Sequence, residues 1–184
     1  NPGAVAFASQ TPWILNASIK DNIVFGAEFD PEFYERVLDA AQLRHDLSML
    51  DEYDLTEIGE RGVSLSGGQK QRVSVARAAY HAKSSAMVIM DDPISALDPE
   101  VGKRLFEECI LDLLDGTTRL VVTNSMDILK ECDRIIMISG GEGTPGRIAE
   151  QGTFEELMGS GSSLFAALMS RHRGGGDDDG PNPT

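Results

Sequence analysis

A change of hydrophobic period at Ala86 constrains this chain more than any other feature. Upstream, from Ser18 to about Ala82, apolar residues recur at helical spacing; at Ala86-Met-Val-Ile-Met90 they become contiguous and then stop at two carboxylates, Asp91 and Asp92. A short unbroken apolar run bounded by polar residues predicts a buried strand. Asp98 and Pro99 then supply an N-cap and a first-turn proline for a helix reaching about Ile110. Leu120 to Thr123, a helix near Met126 to Glu131, and Arg134 to Ile138 continue a strand, helix, strand rhythm. That order predicts an α/β fold with a mostly parallel sheet.

The rest of the chain fits around this core. Ala4 to Ala8 is a strand candidate ending at Ser9-Gln10, and Pro12 blocks its continuation. In the helical block, Phe33, Val37, Ala40 and Ala41 follow Pro31 at helical spacing, and a second helix is predicted from Gly68 to His81. Past the turn signals Gly140-Gly141 and Pro145-Gly146, Arg147 to Gln151 reads as a last strand. Thr153 and Glu156 form a capping-box pattern before a closing helix to about His172. The remainder, 173–184, has no apolar residue to bury and three adjacent carboxylates, which predicts a disordered acidic linker or tail.

Composition removes several function classes. An apolar fraction of 41% over 184 residues suits a domain with a real core, and no apolar run approaches the roughly 18 residues of a membrane helix. A formal charge of -14 disfavours nucleic acid, whose binding depends on Lys and Arg neutralising phosphates. Cys109 and Cys132 lie on amphipathic stretches without a C-x-x-C pattern or neighbouring histidines, which predicts buried thiols in a reducing compartment. The chain begins at Asn1 with neither Met nor a targeting leader, so its true N-terminus is expected elsewhere.

The chemistry concentrates at Val63-Ser-Leu-Ser-Gly-Gly-Gln69, where two glycines open an amphipathic helix. Ser66 and Gln69 have capping-box spacing. With no side chains on Gly67 and Gly68, an anion can approach the exposed N–H groups at the positive helix end, assisted by the Ser66 hydroxyl. Leu65-Ser-Gly-Gly-Gln69, with Lys70-Gln-Arg72 and Ala76-Arg-Ala78 behind it, is similar to the signature motif of ATP-binding cassette (ABC) transporters. Met87 to Asp91 resembles that family's Walker B strand, Pro93 to Asp98 its D-loop, and Gln10 with Thr11 to Ile14 its Q-loop. The resemblance spans about Gly3 to Ser170. Gln10 to Asn16, Asn22 to Gly26 and Thr56 to Gly62 resemble the first nucleotide-binding domain of C-subfamily, multidrug-resistance-associated exporters.

This resemblance implies a partial P-loop NTPase-type ABC ATPase domain: a mostly parallel sheet plus a helical signature subdomain. By it, 1–15 belongs to the ATPase core with the Q-loop, 16–82 is the helical subdomain, 83–172 returns to the core, and 173–184 is the tail. The implied cofactors are ATP and Mg2+. Asp91 is the expected metal partner through water, and Gln10 reaches both metal and attacking water. Ser66, Gly67, Gly68 and Gln69 would close over ATP held by a second nucleotide-binding domain in a head-to-tail sandwich, with Ser95 and Asp98 along its seam. The Q-loop region near Trp13 would meet transmembrane domains, placing the domain on the cytoplasmic face of a membrane.

Two positions depart from the family's catalytic pattern. Asp92 stands where Glu orients or deprotonates water, and it is one methylene shorter; an error of about 1 Å can cost roughly a hundredfold in rate. Asn124 stands where the family places His; it can hydrogen-bond a γ-phosphate but cannot become cationic near neutral pH. Both predict a slow or non-hydrolytic site on this Walker B strand. No G-x-x-x-x-G-K-[ST] motif occurs in the 184 residues, so the chain alone is expected neither to bind ATP tightly nor to hydrolyse it, and its sheet is expected to have an open edge. An alternative reading is a regulatory ATP-binding domain of a channel or channel-associated ABC protein. A soluble ABC protein of chromosome maintenance or translation is disfavoured by the acidic balance and the absence of heptads.

Overall fold

A computed structural model describes residues 3–60, 62–140 and 145–174. The chain divides into two compact units whose boundary falls between Asn124 and Ser125.

The first unit is built on three parallel strands, β1 (Val5–Ala8), β4 (Met87–Asp91) and β5 (Thr118–Val122), in the order β1-β4-β5. Their apolar, β-branched composition and strict alternation make one face a core: Ala6, Ala8, Val88 and Met90 are buried. Helix α4 (Gly67–His81) packs on β1 and β4 and buries Val73, Val75, Ala76, Ala79 and Tyr80. The other sheet face carries Val5, Phe7, Leu120 and Val122, which are exposed. β1 forms an edge of this sheet.

Between β1 and β4 the chain makes the predicted helical block: α1 (Ile19–Val24), α2 (Pro31–Ala40) and α3 (Arg44–Ser48), with a 3-10 turn at Tyr53–Leu55. Ser18 and Asp30 cap α1 and α2 by accepting from Asp21 and Phe33 amides, and Pro31 fills the first turn of α2. Ile23, Val37 and Leu38 are fully buried, each contributing about 1.5–3 kcal/mol of hydrophobic stabilisation. A two-stranded antiparallel pair, β2 (Ala17–Ser18) with β3 (Glu57–Ile58), closes the block. After β4, α5 (Pro99–Arg104) starts on the Asp98 cap and continues as a π-helix over Leu105–Leu113.

The second unit departs from the expected rhythm. Residues Met126 to Glu131 do not form a helix beyond a 3-10 turn at Leu129–Glu131. β6 (Ile135–Ser139) does not join the parallel sheet; it pairs antiparallel with β7 (Arg147–Gly152). The reason is local: a glycine-rich connection this short joins two strands only as a hairpin, since a parallel crossover needs a dozen or more residues. The closing helix is two helices, α6 (Phe154–Gly159) and α7 (Leu164–Gly174), broken at Ser160-Gly161-Ser162-Ser163. Thr153 and Glu156 make both bonds of the predicted capping box. Ile135, Leu157, Phe165 and Met169 form this unit's core. Of the predicted acidic tail, 173–184, Arg173 and Gly174 instead end α7, and 175–184 lies outside the described residues. Among those described, no helix is long and apolar enough to cross a membrane.

Candidate functional site

Parallel strands place whatever follows them at one end of the sheet, and ligands of open α/β sheets bind at such carboxyl ends. Here that end collects Gln10 after β1, Asp91 and Asp92 at and after the central β4, and Asn124 after β5. Gln10 sits exposed on a turn that Ser9 fastens by donating its hydroxyl to the Thr11 carbonyl at 2.8 Å. Asp91 ends β4 and is half-buried.

Asp92 is held by its backbone. Its amide donates to the Val122 carbonyl at 2.8 Å, tying it to the end of β5, and its φ is 51°. Left-handed backbone is uncommon outside glycine, with Asp and Asn among the residues that tolerate it best. Its carbonyl in turn accepts from the Ser95 hydroxyl at 3.2 Å, closing the turn that runs on to Asp98. Asp98 spends its carboxylate on the N-cap of α5, accepting the Val101 amide at 3.0 Å. Asn124 is exposed two residues beyond β5.

The helix α4 terminus forms a separate group. The Ser66 hydroxyl accepts the Gln69 amide at 3.2 Å, and the Gln69 side-chain oxygen accepts the Ser66 amide at 2.9 Å. The Ser66 O–H proton stays available to donate. Gln69 also donates to Asp46 of α3 at 2.9 Å, and Arg72, one turn on, pairs with the other Asp46 oxygen at 2.5 Å. The Gln69 amide therefore closes the cap with its oxygen and ties the helix start to α3 with its nitrogen.

The two glycines are not equivalent. A side chain at Gly67 would meet nothing within 4 Å, whereas a Cβ at Gly68 would come to 3.1 Å from the Ala96 carbonyl and 3.3 Å from Leu97. Gly68 lets the helix start lie against the turn after Asp92, while Gly67 leaves its backbone open to approach. Ser95 and Ala96 in that turn are exposed.

The donor set fits Mg2+ with ATP. Asp91, Asp92 and Gln10 offer oxygen ligands, and among the described residues no three His, Cys, Asp or Glu side chains converge to cage a metal; a cation held by one or two carboxylates, water and phosphate is the usual Mg2+ arrangement. The open cradle at Gly67 and the helix end suit phosphate oxygens.

Two residues that the sequence reading quoted only within matched stretches turn out to be joined in the structure. Arg77 is 5% exposed and Asn22 0% exposed, and they join α4 to the stretch that follows Gln10. The available signal was a guanidinium on the apolar face that Val73, Ala76 and Tyr80 define.

Carboxylate and amide oxygens at the carboxyl end of a parallel sheet, and separately an open glycine helix start, are the kinds of group that suit nucleotide phosphates in α/β domains. A family model described as ABC transporter matches residues 2–95. The chain is 44% identical over 165 residues to the ABC-type transporter cicA of Emericella nidulans, covering 90% of this chain and 11% of that protein. It is 46% identical over 158 residues to ATP-binding cassette sub-family C member 2 of Mus musculus, covering 85% and 10%. Against ABC transporter C family member 12 of Dictyostelium discoideum it is 42% identical over 170 residues, covering 92% and 12%. This chain belongs to the ABC transporter family, with C-subfamily transporters among its relatives. It therefore carries part of the P-loop NTPase fold of that family's nucleotide-binding domain, a class that in general binds ATP and Mg2+ and pairs with transmembrane domains. It spans 10 to 12% of the length of these three relatives.

Proposed function

We propose that this domain serves two ATP sites unequally, as the first nucleotide-binding domain of a C-subfamily exporter. Its sheet end, with Gln10, Asp91, Asp92 and Asn124, forms part of a site that binds Mg-ATP and turns it over slowly. Its helix start, with Ser66, Gly67 and Gly68, closes over ATP held by a second nucleotide-binding domain and supports hydrolysis there. The observation that carries this reading is the contrast between the two groups. The helix start is open at Gly67 and keeps a hydroxyl proton to donate, while the sheet end presents the shorter acid and a neutral amide.

Each residue has a physical task. Asp91 holds Mg2+ through water, and Gln10 orients water with an amide that both donates and accepts. Asp92 can polarise the same water only from a shorter reach, and Asn124 can hydrogen-bond a phosphate oxygen without supplying positive charge. Gln69 fixes the helix start, and Ser95 and Asp98 shape the turn along the domain seam. The Trp13 region meets the transmembrane domains on the cytoplasmic side.

The test is ATP turnover by a polypeptide that joins this domain to a phosphate-binding loop and a second nucleotide-binding domain. Ser66→Arg is expected to abolish turnover by blocking the partner's site, and Asp92→Glu to raise it. Turnover that ignores Ser66→Arg would sink the head-to-tail assignment.

A further inference from the structure

The Arg77 guanidinium is buried without a carboxylate. It donates instead to the Asn22 carbonyl at 2.6 Å, the Asn22 side-chain oxygen at 3.0 Å and the Trp13 carbonyl at 3.2 Å. Its Cζ lies 3.7 Å from the Trp13 ring centroid and 5.3 Å from that of Phe25. The two rings meet edge to face at 5.2 Å. Desolvation is the reason such an arrangement is rare: a cation leaves water only where hydrogen bonds and aromatic faces replace it.

Asn22 extends the contact along the chain. Its side-chain oxygen also accepts the Leu15 amide at 2.8 Å, and its NH2 donates to the Leu15 and Ser18 carbonyls at 3.1 and 3.0 Å. One amide thus folds Leu15 to Ser18 around itself and presents the result to Arg77. Phe25 supplies a second, independent sign of constraint. It ends α1 with φ 44°, a left-handed backbone that a bulky residue keeps only when its surroundings impose it. The Phe25 ring is held among Trp13, Arg77 and His81.

We propose that Arg77 is a positioning residue: it clamps the segment from Trp13 to Asn22 onto helix α4, so that the turn carrying Gln10 and the turn carrying Ser66 and Gly67 hold one fixed geometry. The clamp as a structural device stands by itself; its consequence for turnover rests on the function proposed above. Arg77 touches no reacting atom and acts through the two elements it joins. The planar fork matters as much as the charge, because three acceptors and two ring faces are met by one flat group. Lysine has the charge and lacks the fork.

Trp13 is the sole tryptophan of the 184 residues, so the intrinsic emission of this chain reads the clamp directly. In Arg77→Lys, Trp13 emission is expected to move to longer wavelength and acrylamide quenching to rise about twofold, with far-UV circular dichroism unchanged. Amide exchange over 13–24 is expected to accelerate about tenfold while α4 keeps its protection. In Arg77→Ala, a few tens of millimolar guanidinium should restore the emission, and the same concentration of sodium chloride should not. If Arg77→Ala does not fold, the lysine variant and Asn22→Ala carry the test. Unchanged emission and exchange in Arg77→Lys overturns the clamp, and so does acceleration spread equally over α4 and β4, which would make Arg77 an ordinary core residue.

In the joined two-domain polypeptide, Arg77→Lys is expected to lower kcat about threefold with KM for ATP unchanged, since the clamp touches no nucleotide. An unaltered kcat overturns the positioning role. The fluorescence and exchange measurements use no ATP, so an indifferent Ser66→Arg removes the head-to-tail reading without touching the clamp, and the two failures stay distinct.

Discussion

Asp92 combines a short carboxylate with left-handed backbone, and the two properties pull a substitution in opposite directions. Glutamate extends the reach by a methylene yet is less tolerant than aspartate of φ near 51°. Asp92→Glu is therefore expected to raise turnover while lowering unfolding free energy by under about 1 kcal/mol, measured by denaturant titration. The signature glycines separate in the same assay. Gly67→Ala enters open space and should change stability by less than about 0.5 kcal/mol. Gly68→Ala must push back the Ala96 carbonyl and should cost about 1–3 kcal/mol. Cys109 offers a pH-dependent probe. It is fully buried, and burial pushes its thiol from 9.0 up to about 12 because the thiolate is the form that loses solvation. The neutral thiol is favoured in the fold, so its stabilising share is full below pH 9.0 and fades as pH climbs toward 12. Alkylation of Cys109 by iodoacetamide in the native chain at pH 8 should be negligible, and mass spectrometry after unfolding should show it modified.

Among the elements, α7 owes its start to a residue of another strand. Glu150 of β7 accepts the Leu164 and Phe165 amides at 2.8 and 3.0 Å and the Ser163 hydroxyl at 2.8 Å. The Phe165 amide, then the Leu164 amide and the Ser163 hydroxyl, hold its carboxyl below the usual 4.5. Folding then favours the ionised form: the contribution is present above pH 4.5 and is lost as pH falls through the lowered value. In Glu150→Gln, amide exchange across Leu164 to Met169 should rise at neutral pH, and acidification below pH 4.5 should loosen α7 less than in the parent. No pattern in the sequence announced this cap, because its donor and acceptor belong to different elements. The strands β1, β4 and β5 were readable as contiguous apolar runs, and α4 from its cap and period. Two-residue strands such as β2 and β3 carry no periodicity to read, and the antiparallel pairing of β6 followed from the short connection rather than from the strand's own residues. At the site, the side-chain identities were legible and their shared location at one sheet end followed once parallel order was assumed. The left-handed Asp92 and the burial of Arg77 depend on neighbours distant in sequence, and only the structure brought them out.

At a larger scale, the three-stranded sheet of the first unit leaves one face uncovered among the described residues. Val5, Phe7, Leu120 and Val122 stand exposed on it, and apolar patches of this kind promote association. The 184-residue chain is expected to bind a hydrophobic dye and to self-associate as its concentration rises. Phe7→Lys should reduce both, as read by dye fluorescence and light scattering. The strand order β1-β4-β5 also has a consequence in time. The loop closed by pairing β1 with β4 runs from Ala8 to Met87, and the one closed by pairing β4 with β5 from Asp91 to Thr118. The first loop is roughly three times longer, which adds about 1 kcal/mol of closure entropy. During synthesis β1 is made before β4 and waits for the entire helical block before this partner exists. Of the three strands, the first made is the one held open longest, so misfolding during translation is expected to begin at β1 rather than at β4 or β5.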